Sequence, residues 1–338
     1  MPQARCGLLQ AARTLTDPAL RAAVGGLSPA ISRIVGYHFG WCDVDGVPTK
    51  DGAGKAVRAA LALGCAEAVG GEVGGAVPAA VAAELVHNAS LLHDDIIDGD
   101  TTRRNRPAVW TVFGVPAAIL AGDALFFLAV QVLADRPPHS GGEAIPRLST
   151  TVQRLIEGEH ADTAFETRRK VSLDECLAMA VAKTGALLEC ACTLGAIYGG
   201  ATASQTHALG QFGVHLGIAF QLVDDLLGIW GDPDVTGKPA ASDLINRKKT
   251  VPVVTALTSG TTAGERLAAM YDDDQPSNIQ TAASAAILIE QAGGRAHTQA
   301  LVDHHIQTAL EHLHAARPAR SPVAELTELA QLVTNRDH

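Results

Sequence analysis

The stretch LLHDDIIDGDTTRR, residues 91–104, ends a long apolar run with clustered aspartates followed by two arginines. On a helix, Asp94 and Asp98 lie one turn apart on the same face, with Asp95 beside them. Three carboxylates this close repel one another unless a cation lies between them. Oxygen ligands suit magnesium, which shares its other positions with water and substrate phosphates. Because guanidinium groups match phosphate oxygens, the arginines extend the prediction to a magnesium-diphosphate site.

A second acidic pair lies in another apolar helical run, FQLVDDLLGIWGD, at residues 220–232. Its adjacent aspartates, Asp224 and Asp225, are followed by basic residues that end in RKKT at residues 247–250. Both segments therefore have the same order: an apolar helix, adjacent aspartates and then cations. One such motif is weak evidence, whereas two in this order strongly indicate metal-assisted diphosphate chemistry.

With these motifs the chain resembles the trans-prenyl diphosphate synthases, also called polyprenyl synthetases, and in particular the actinobacterial-type geranylgeranyl diphosphate synthases. The resemblance runs from about Gly52 to Pro252. It implies an all-α fold, an isoprenoid-synthase-like helical bundle around a central apolar cavity. The implied reaction is the magnesium-dependent, head-to-tail condensation of isopentenyl diphosphate with an allylic diphosphate.

The composition agrees with a helical protein. Of the 338 residues 47% are hydrophobic, chiefly alanine and leucine, and 4% are aromatic, which favours helices over strands. Motifs spread from Lys55 to Lys249 must converge on one site. We therefore expect a single all-α domain over residues 1–338, with a variable N-terminal segment (1–50) and C-terminal packing helices (278–338). The formal charge of −10 argues against a nucleic-acid partner.

The most membrane-like run, residues 115–134, contains Pro116, Asp123 and Gln131, so we expect a buried core helix there rather than a membrane span. The first thirty residues lack the charged start and apolar core of a signal peptide. The six cysteines show no zinc spacing and no disulfide-framework density. The expectation is a cytoplasmic protein without an integral membrane segment, and the resemblance implies a homodimer.

The resemblance assigns the metal site residue by residue. It implies that Asp94, Asp98 and Asp224 hold magnesium, in a three-ion cluster with bound diphosphate, and that Asp95 and Asp225 support the bound waters. Magnesium would neutralise the leaving diphosphate as a Lewis acid.

The resemblance also assigns the substrate ligands. The implied allylic-diphosphate ligands are Arg103, Lys183, Lys238 and Lys249. The implied isopentenyl-diphosphate ligands are Lys55, Arg58, His87 and Arg104. A lysine inside an apolar helix, as at Lys183, needs a counter-charge, which a diphosphate supplies. Thr184 and Gln221 match positions whose oxygens face the developing carbocation.

Three positions depart from the family pattern. Gly228 stands where many relatives have a third aspartate in the second motif. Ala59 stands where a proline commonly follows the Lys-x-x-Arg element, which leaves the local backbone less fixed. Glu159 replaces a common glutamine, and the sequence assigns no effect to this change.

Product length is implied by the residues just upstream of the first motif. Bulky aromatic residues five and four positions before the first aspartate stop growth early in the family. Here those residues are Ala89 and Ser90, both small, which argues against products of ten or fifteen carbons. We expect geranylgeranyl (C20) or geranylfarnesyl (C25) diphosphate, with longer products if Val86 and Ala83 do not close the pocket.

Two alternatives remain open. A class I terpene cyclase would share the fold and the metal site, and Asp224, Gly228 and Asp232 reproduce the spacing of the second cyclase motif. However, glycine offers no ligand, and a cyclase does not need the isopentenyl site. The other alternative is a non-catalytic subunit of a heteromeric synthase, although such subunits typically lose acidic residues and this chain retains both pairs.

Overall fold

The computed structural model describes residues 7–49, 54–138, 143–232, 241–272, 278–318 and 320–334. The helices are α1 (Gly7–Gly25), α2 (Pro29–His38), α3 (Val57–Ala68), α4 (Val77–Ile97), α5 (Val109–Phe113), α6 (Val115–Asp135), α7 (Ala144–Thr167), α8 (Leu173–Ala180), α9 (Ala186–Tyr198), α10 (Ala203–Trp230), α11 (Ser242–Ile245), α12 (Val251–Leu257), α13 (Thr262–Asp272), α14 (Ile279–Gln291), α15 (Gly294–Ala315) and α16 (Arg320–Thr334). A 3₁₀ turn (Val73–Ala76) precedes α4, and a π-helical segment (Val181–Gly185) separates α8 from α9.

The predicted all-α class is confirmed, since 79% of the described residues are helical and 2% are in strands. The strands β1 (Thr102–Arg103) and β2 (Arg106–Pro107) form an antiparallel hairpin that the sequence analysis did not predict. The helical run from Leu173 to Tyr198 is interrupted by the π-helical segment. Such segments often occur at functional sites.

The chain divides into two compact units. The first comprises Met1–Val152, Cys190–Gly210 and Leu313–Leu329, and the second comprises Gln153–Glu189, Gln211–His312 and Ala330–His338. The single domain expected over residues 1–338 stays a prediction.

In the first unit, α4 forms the centre and packs most extensively against α6. Helix α4 starts with a proline in its first turn, Pro78, which suits a position whose N–H has no helical acceptor. Its C-cap residue is Asp98, which is followed by Gly99 in the left-handed conformation (φ +67°). Small side chains permit close packing, since a Cβ at Gly122 on α6 would overlap the His93 ring.

In the second unit, two apolar clusters form the core. One joins α10, α12 and α15 through Leu222, Val251 and Val302, and the other joins α12 and α14 through Val253 and Ile289. Helix α8 begins with a capping box, in which the Ser172 hydroxyl accepts from the Glu175 N–H and the Glu175 carboxylate accepts from the Ser172 N–H.

Among the described residues, four helical stretches are long and apolar enough to cross a membrane by length and composition: Val73–Ile97, Val115–Asp135, Leu173–Tyr198 and Ala203–Trp230. Helix α6 differs from the others because only 39% of its most apolar window is buried. One of its faces packs on α4, while Leu120 and Phe127 on the other are 58% and 77% exposed. The expected buried core helix at 115–134 is therefore correct for one face only.

Candidate active site

The first acidic motif occupies the last turn of α4. The Asp98 N–H donates to the Asp94 carbonyl at 2.8 Å, so the two side chains emerge one helical turn apart, and both are half-buried. Asp95 is only 1% exposed, and its Oδ1 accepts from Arg103 Nε at 2.7 Å. The motif thus keeps two carboxylates half-buried and holds the third inside the unit.

Arg103, at the end of β1, is tied to this motif. Burial alone would lower its pKa, but the hydrogen bond to Asp95 and the charges of Asp95 and Asp100 outweigh burial and raise the pKa. Its NH2 group also lies 3.5 Å from the Asp100 carboxylate. The implied allylic-diphosphate ligand is therefore fixed beside the aspartates by an ion pair.

The residues implied to bind isopentenyl diphosphate lie around α3, α4 and the hairpin. Burial and the nearby charges of Arg58 and Arg104 hold the pKa of His87 well below its usual value, so the ring is neutral at pH 7. Lys55 is exposed just before α3. The structure thus brings His87, Arg58 and Arg104 together within the first unit.

Sequence reasoning missed Glu84, which lies on α4 one turn before this group and is 8% exposed. Its Oε1 accepts from the Ala59 N–H at 3.1 Å, and the Arg58 N–H also bonds to this carboxylate. Both N–H groups belong to the first turn of α3, whose N-cap residue Ala56 makes no side-chain cap. Glu84 therefore caps α3 from a neighbouring helix. Burial is the largest influence on the pKa of this carboxyl and raises it.

This cap changes the interpretation of Ala59. From the sequence alone, the missing proline is expected to leave the local backbone less fixed. The structure shows instead that the Ala59 N–H, which proline lacks, binds the Glu84 carboxylate. The local backbone is held by that hydrogen bond. Glu84, the first polar residue in the apolar run before the first motif, was the available signal.

The second acidic motif, near the end of α10, repeats the arrangement of the first. Asp224 is half-buried, whereas Asp225 is 3% exposed. The Gln221 amide donates to Asp225 Oδ1 at 2.9 Å, and the Val251 N–H donates to Oδ2 at 3.2 Å. Burial raises the pKa of Asp225 to about 8, and the charge of Asp243 contributes to the rise.

Asp243 also explains the glycine in the second motif. A Cβ at Gly228 would overlap the Asp243 carboxylate, so α11 places an acid against the position where many relatives have their third aspartate. Position 228 therefore lacks a carboxylate of its own but has one beside it. The sequence could not show this proximity, because the two residues are fifteen positions apart.

Lys183 and Thr184 lie in the π-helical segment. A Cβ at Gly158 on α7 would overlap the Lys183 backbone, so this glycine permits the close approach of the two segments. Lys183 Nζ lies 2.6 Å from Asp162 Oδ2 and 2.8 Å from Glu159 Oε2. Burial alone would lower the pKa of Lys183, but these carboxylates raise it. Glu159, whose effect the sequence left open, is thus a second counter-ion of this lysine.

The other implied residues of the second unit are also placed. The Thr184 hydroxyl donates to Gln221 Oε1 at 2.6 Å, which joins the two positions implied to face the carbocation. Lys249 Nζ donates to the Phe165 carbonyl at 2.9 Å, and burial and Arg247 lower its pKa. Lys238 lies outside the described residues.

The implied chain-length residues lie on the buried part of α4. Ala89 is fully buried, and Ser90 is 8% exposed and donates its hydroxyl to the His87 carbonyl at 2.9 Å. Val86 and Ala83, about one and two helical turns nearer the start of α4, are fully buried as well. The Ser90 hydroxyl is thus satisfied within its own helix.

Within the described ranges, no three His, Cys, Asp or Glu side chains converge closely enough to form a metal site by themselves. Magnesium, however, usually takes one or two carboxylates, keeps several waters and completes its shell with substrate phosphates. In the first unit the half-buried carboxylates of Asp94 and Asp98 are donors of this kind, and in the second unit that of Asp224 is another. The residues present therefore fit magnesium bound together with a diphosphate.

Comparisons with known proteins agree with these motifs. The polyprenyl synthetase family model matches residues 49–288. The chain is 45% identical over 332 residues to a (2E,6E)-farnesyl diphosphate synthase of Mycobacterium tuberculosis, covering 97% of this chain and 92% of the relative. It is 44% identical over 331 residues to a geranylgeranyl diphosphate synthase of that organism, covering 98% and 93%. The crystal structure of a polyprenyl synthetase from Streptomyces coelicolor A3(2) matches with a TM-score of 0.91 and 47% identity, covering 96% of this chain and 98% of that one.

Proposed function

The chain belongs to the polyprenyl synthetase family and is a prenyltransferase, and from this premise we propose that it condenses isopentenyl diphosphate with an allylic diphosphate to make a C20 or C25 product with magnesium. The observation that carries the proposal is the arrangement shared by the two acidic motifs. In each, the first aspartate is half-buried, and the second is buried and held by hydrogen bonds.

Asp94, Asp98 and Asp224 would hold the magnesium ions, which neutralise the leaving diphosphate when bound. Asp95 and Asp225 keep the helix ends in place, since both are bonded to neighbouring segments. Arg103, Lys183, Lys238 and Lys249 would bind the allylic diphosphate and favour its departure, which leaves an allylic cation. The bonded pair Thr184 and Gln221 would direct its dipoles at that cation.

Lys55, Arg58, His87 and Arg104 would bind the second diphosphate with protein groups alone. Neutral His87 can donate one N–H to a phosphate oxygen without the cost of burying a further charge. The double bond of isopentenyl diphosphate then attacks the cation, and loss of a proton restores a double bond. The capped N-terminus of α3 keeps Arg58 in position for this substrate.

The small side chains of Ala89 and Ser90 support the proposed product length. The two Mycobacterium tuberculosis relatives differ in product but match the chain almost equally, so overall identity does not discriminate between fifteen and twenty carbons. Small side chains at these positions support the longer product, C20 or C25. Ala89→Phe should shorten the main product to fifteen carbons, as measured by chromatography of the dephosphorylated alcohols. An unchanged product distribution would contradict this assignment.

We further propose a homodimer that pairs through the exposed face of α6, with no integral membrane segment. Leu120 and Phe127 are large apolar residues on that face, and their exposure favours a protein partner. Phe127→Lys should convert the dimer into a monomer in sedimentation experiments. Ile287→Lys, which changes an exposed apolar residue on α14, is the control and should not. A monomeric wild type would contradict the dimer.

The central test is an incubation with magnesium, isopentenyl diphosphate and either dimethylallyl or farnesyl diphosphate. We expect condensation in wild type and its loss in Asp94→Ala, with an unchanged thermal unfolding curve. Near-normal turnover by Asp94→Ala would refute the metal assignment. Geranylgeranyl diphosphate alone provides the second arm, because a hydrocarbon formed without isopentenyl diphosphate would identify a terpene cyclase instead.

A further inference from the structure

A buried polar network in the first unit joins α2, α4 and the β-hairpin. Asn88 on α4 is 1% exposed, and its Nδ2 donates to the Glu84 carbonyl at 2.7 Å. This bond fixes the amide, so that Oδ1 is the atom directed at the other partners. Oδ1 accepts from Arg104 NH2 at 3.3 Å and lies 3.2 Å from His38 Nε2.

His38 donates in this network. Its burial and the charges of Arg104 and Arg103 lower its pKa to about 3, so the ring is neutral at pH 7. Since Asn88 Oδ1 can only accept, Nε2 must carry the proton. Asn88 therefore holds Arg104 with a neutral oxygen, whereas Arg103 is paired with the carboxylate of Asp95. Burial lowers the pKa of Arg104, the charge of the Glu84 carboxylate opposes that shift, and the residue remains exposed to solvent.

The backbone of Arg104 requires such a restraint. Arg104 and Asn105 are the two turn residues of the hairpin, and both have left-handed φ values, 54° and 60°. Two-residue hairpins favour this conformation, but it is unfavourable for a non-glycine residue. A Cβ at Gly54 would lie 2.9 Å from Arg104 NH2, so the glycine leaves room for the guanidinium. Arg13 donates to the Gly54 carbonyl at 3.0 Å and holds that segment.

We propose that Asn88, together with His38, is a positioning residue that aims the Arg104 guanidinium at the diphosphate of isopentenyl diphosphate. This inference rests on the proposed function, because it takes Arg104 as a ligand of that substrate. Asn88 acts only through Arg104 and touches neither substrate. Loss of Asn88 should therefore weaken the binding of isopentenyl diphosphate selectively and leave the ionisation of the allylic diphosphate intact.

The test measures steady-state kinetics of the full-length enzyme with magnesium. Asn88→Ala should raise the KM for isopentenyl diphosphate about tenfold, the effect of losing one hydrogen bond to a charged group. The KM for the allylic diphosphate should stay within twofold. His38→Phe, which removes one donor and keeps a ring, should give a smaller shift of the same kind. If Asn88→Ala fails to fold, the selective shift in His38→Phe still decides the matter.

A double-mutant cycle separates positioning from a general structural role. In an Arg104→Ala background, adding Asn88→Ala should change the KM for isopentenyl diphosphate by less than twofold. Thr298→Ala, which removes a buried hydroxyl on α15, is the matched control and should change neither KM. Additive effects in the cycle, or equal rises in both KM values, would overturn the inference.

The outcomes also separate this inference from the proposed function. If wild type does not condense isopentenyl diphosphate, the proposed function fails and the inference fails with it. If wild type is active and Arg104→Ala raises the KM for isopentenyl diphosphate, but Asn88→Ala and His38→Phe keep wild-type values, only the positioning role is refuted.

Discussion

Ala59→Pro restores a residue that is common in the family and should nevertheless destabilise this protein. Position 59 lies in the first turn of α3, where a proline ring does not meet a preceding helical turn. The substitution removes the N–H that donates to Glu84 Oε1 at 3.1 Å. Both residues are buried, so water cannot replace the lost donor.

The expected magnitude is a difference between two effects. A hydrogen bond to a charged group contributes about 1.5–3 kcal/mol. Proline also restricts the unfolded chain, which stabilises the folded state by about 0.4–1 kcal/mol. The net loss should therefore be about 1–2 kcal/mol, with a melting temperature lowered by a few degrees. The remaining N–H of Arg58 keeps the carboxylate partly satisfied.

Thermal unfolding followed by circular dichroism measures this loss. Ser204→Pro is the matched control, because it places proline at an exposed position in the first turn of α10 and should change stability little. In a Glu84→Ala background, Ala59→Pro should have no further cost. A melting temperature for Ala59→Pro equal to or above that of wild type would refute the reasoning.

Three further outcomes are expected. Glu159→Gln should lower the KM for the allylic diphosphate several-fold, since it removes one of two carboxylates that compete for Lys183; an unchanged KM would contradict that competition. Gly228→Asp should reduce the melting temperature because the new side chain displaces the Asp243 carboxylate. Adding Asp243→Ala to this variant should restore stability. His305→Gln should flatten the pH dependence of the melting temperature between pH 6.5 and 4. Burial lowers the pKa of His305 from 6.5 to about 4. The unfolded state therefore takes up the proton first, and stability falls as pH falls through this window. Equal slopes of melting temperature against pH in the variant and the wild type would refute this prediction.

Sequence patterns predicted most of the helices because alanine-rich and leucine-rich runs have a clear helical period and clear starts. The helix expected at 115–134 is observed at Val115–Asp135, and the apolar run that ends in the first acidic motif is the helix Val77–Ile97. The hairpin was missed because its strands have two residues each, and its turn is formed by Arg104 and Asn105 rather than by a glycine. The π-helical segment was missed because it depends on contacts with α7 and α10.

The sequence by itself determined the helical class, the two acidic motifs and the basic residues that follow them, since each is a local pattern of residue types and spacing. Only the tertiary structure decided which carboxylates are held inside and which remain half-buried. It placed Asp95 on Arg103 and Asp225 on the start of α12. It also decided the counter-ions of Lys183, because residues 21 and 24 positions away reach it only through helix packing. Charge and periodicity are properties of the linear sequence, whereas burial and ion pairing depend on neighbours that folding brings together.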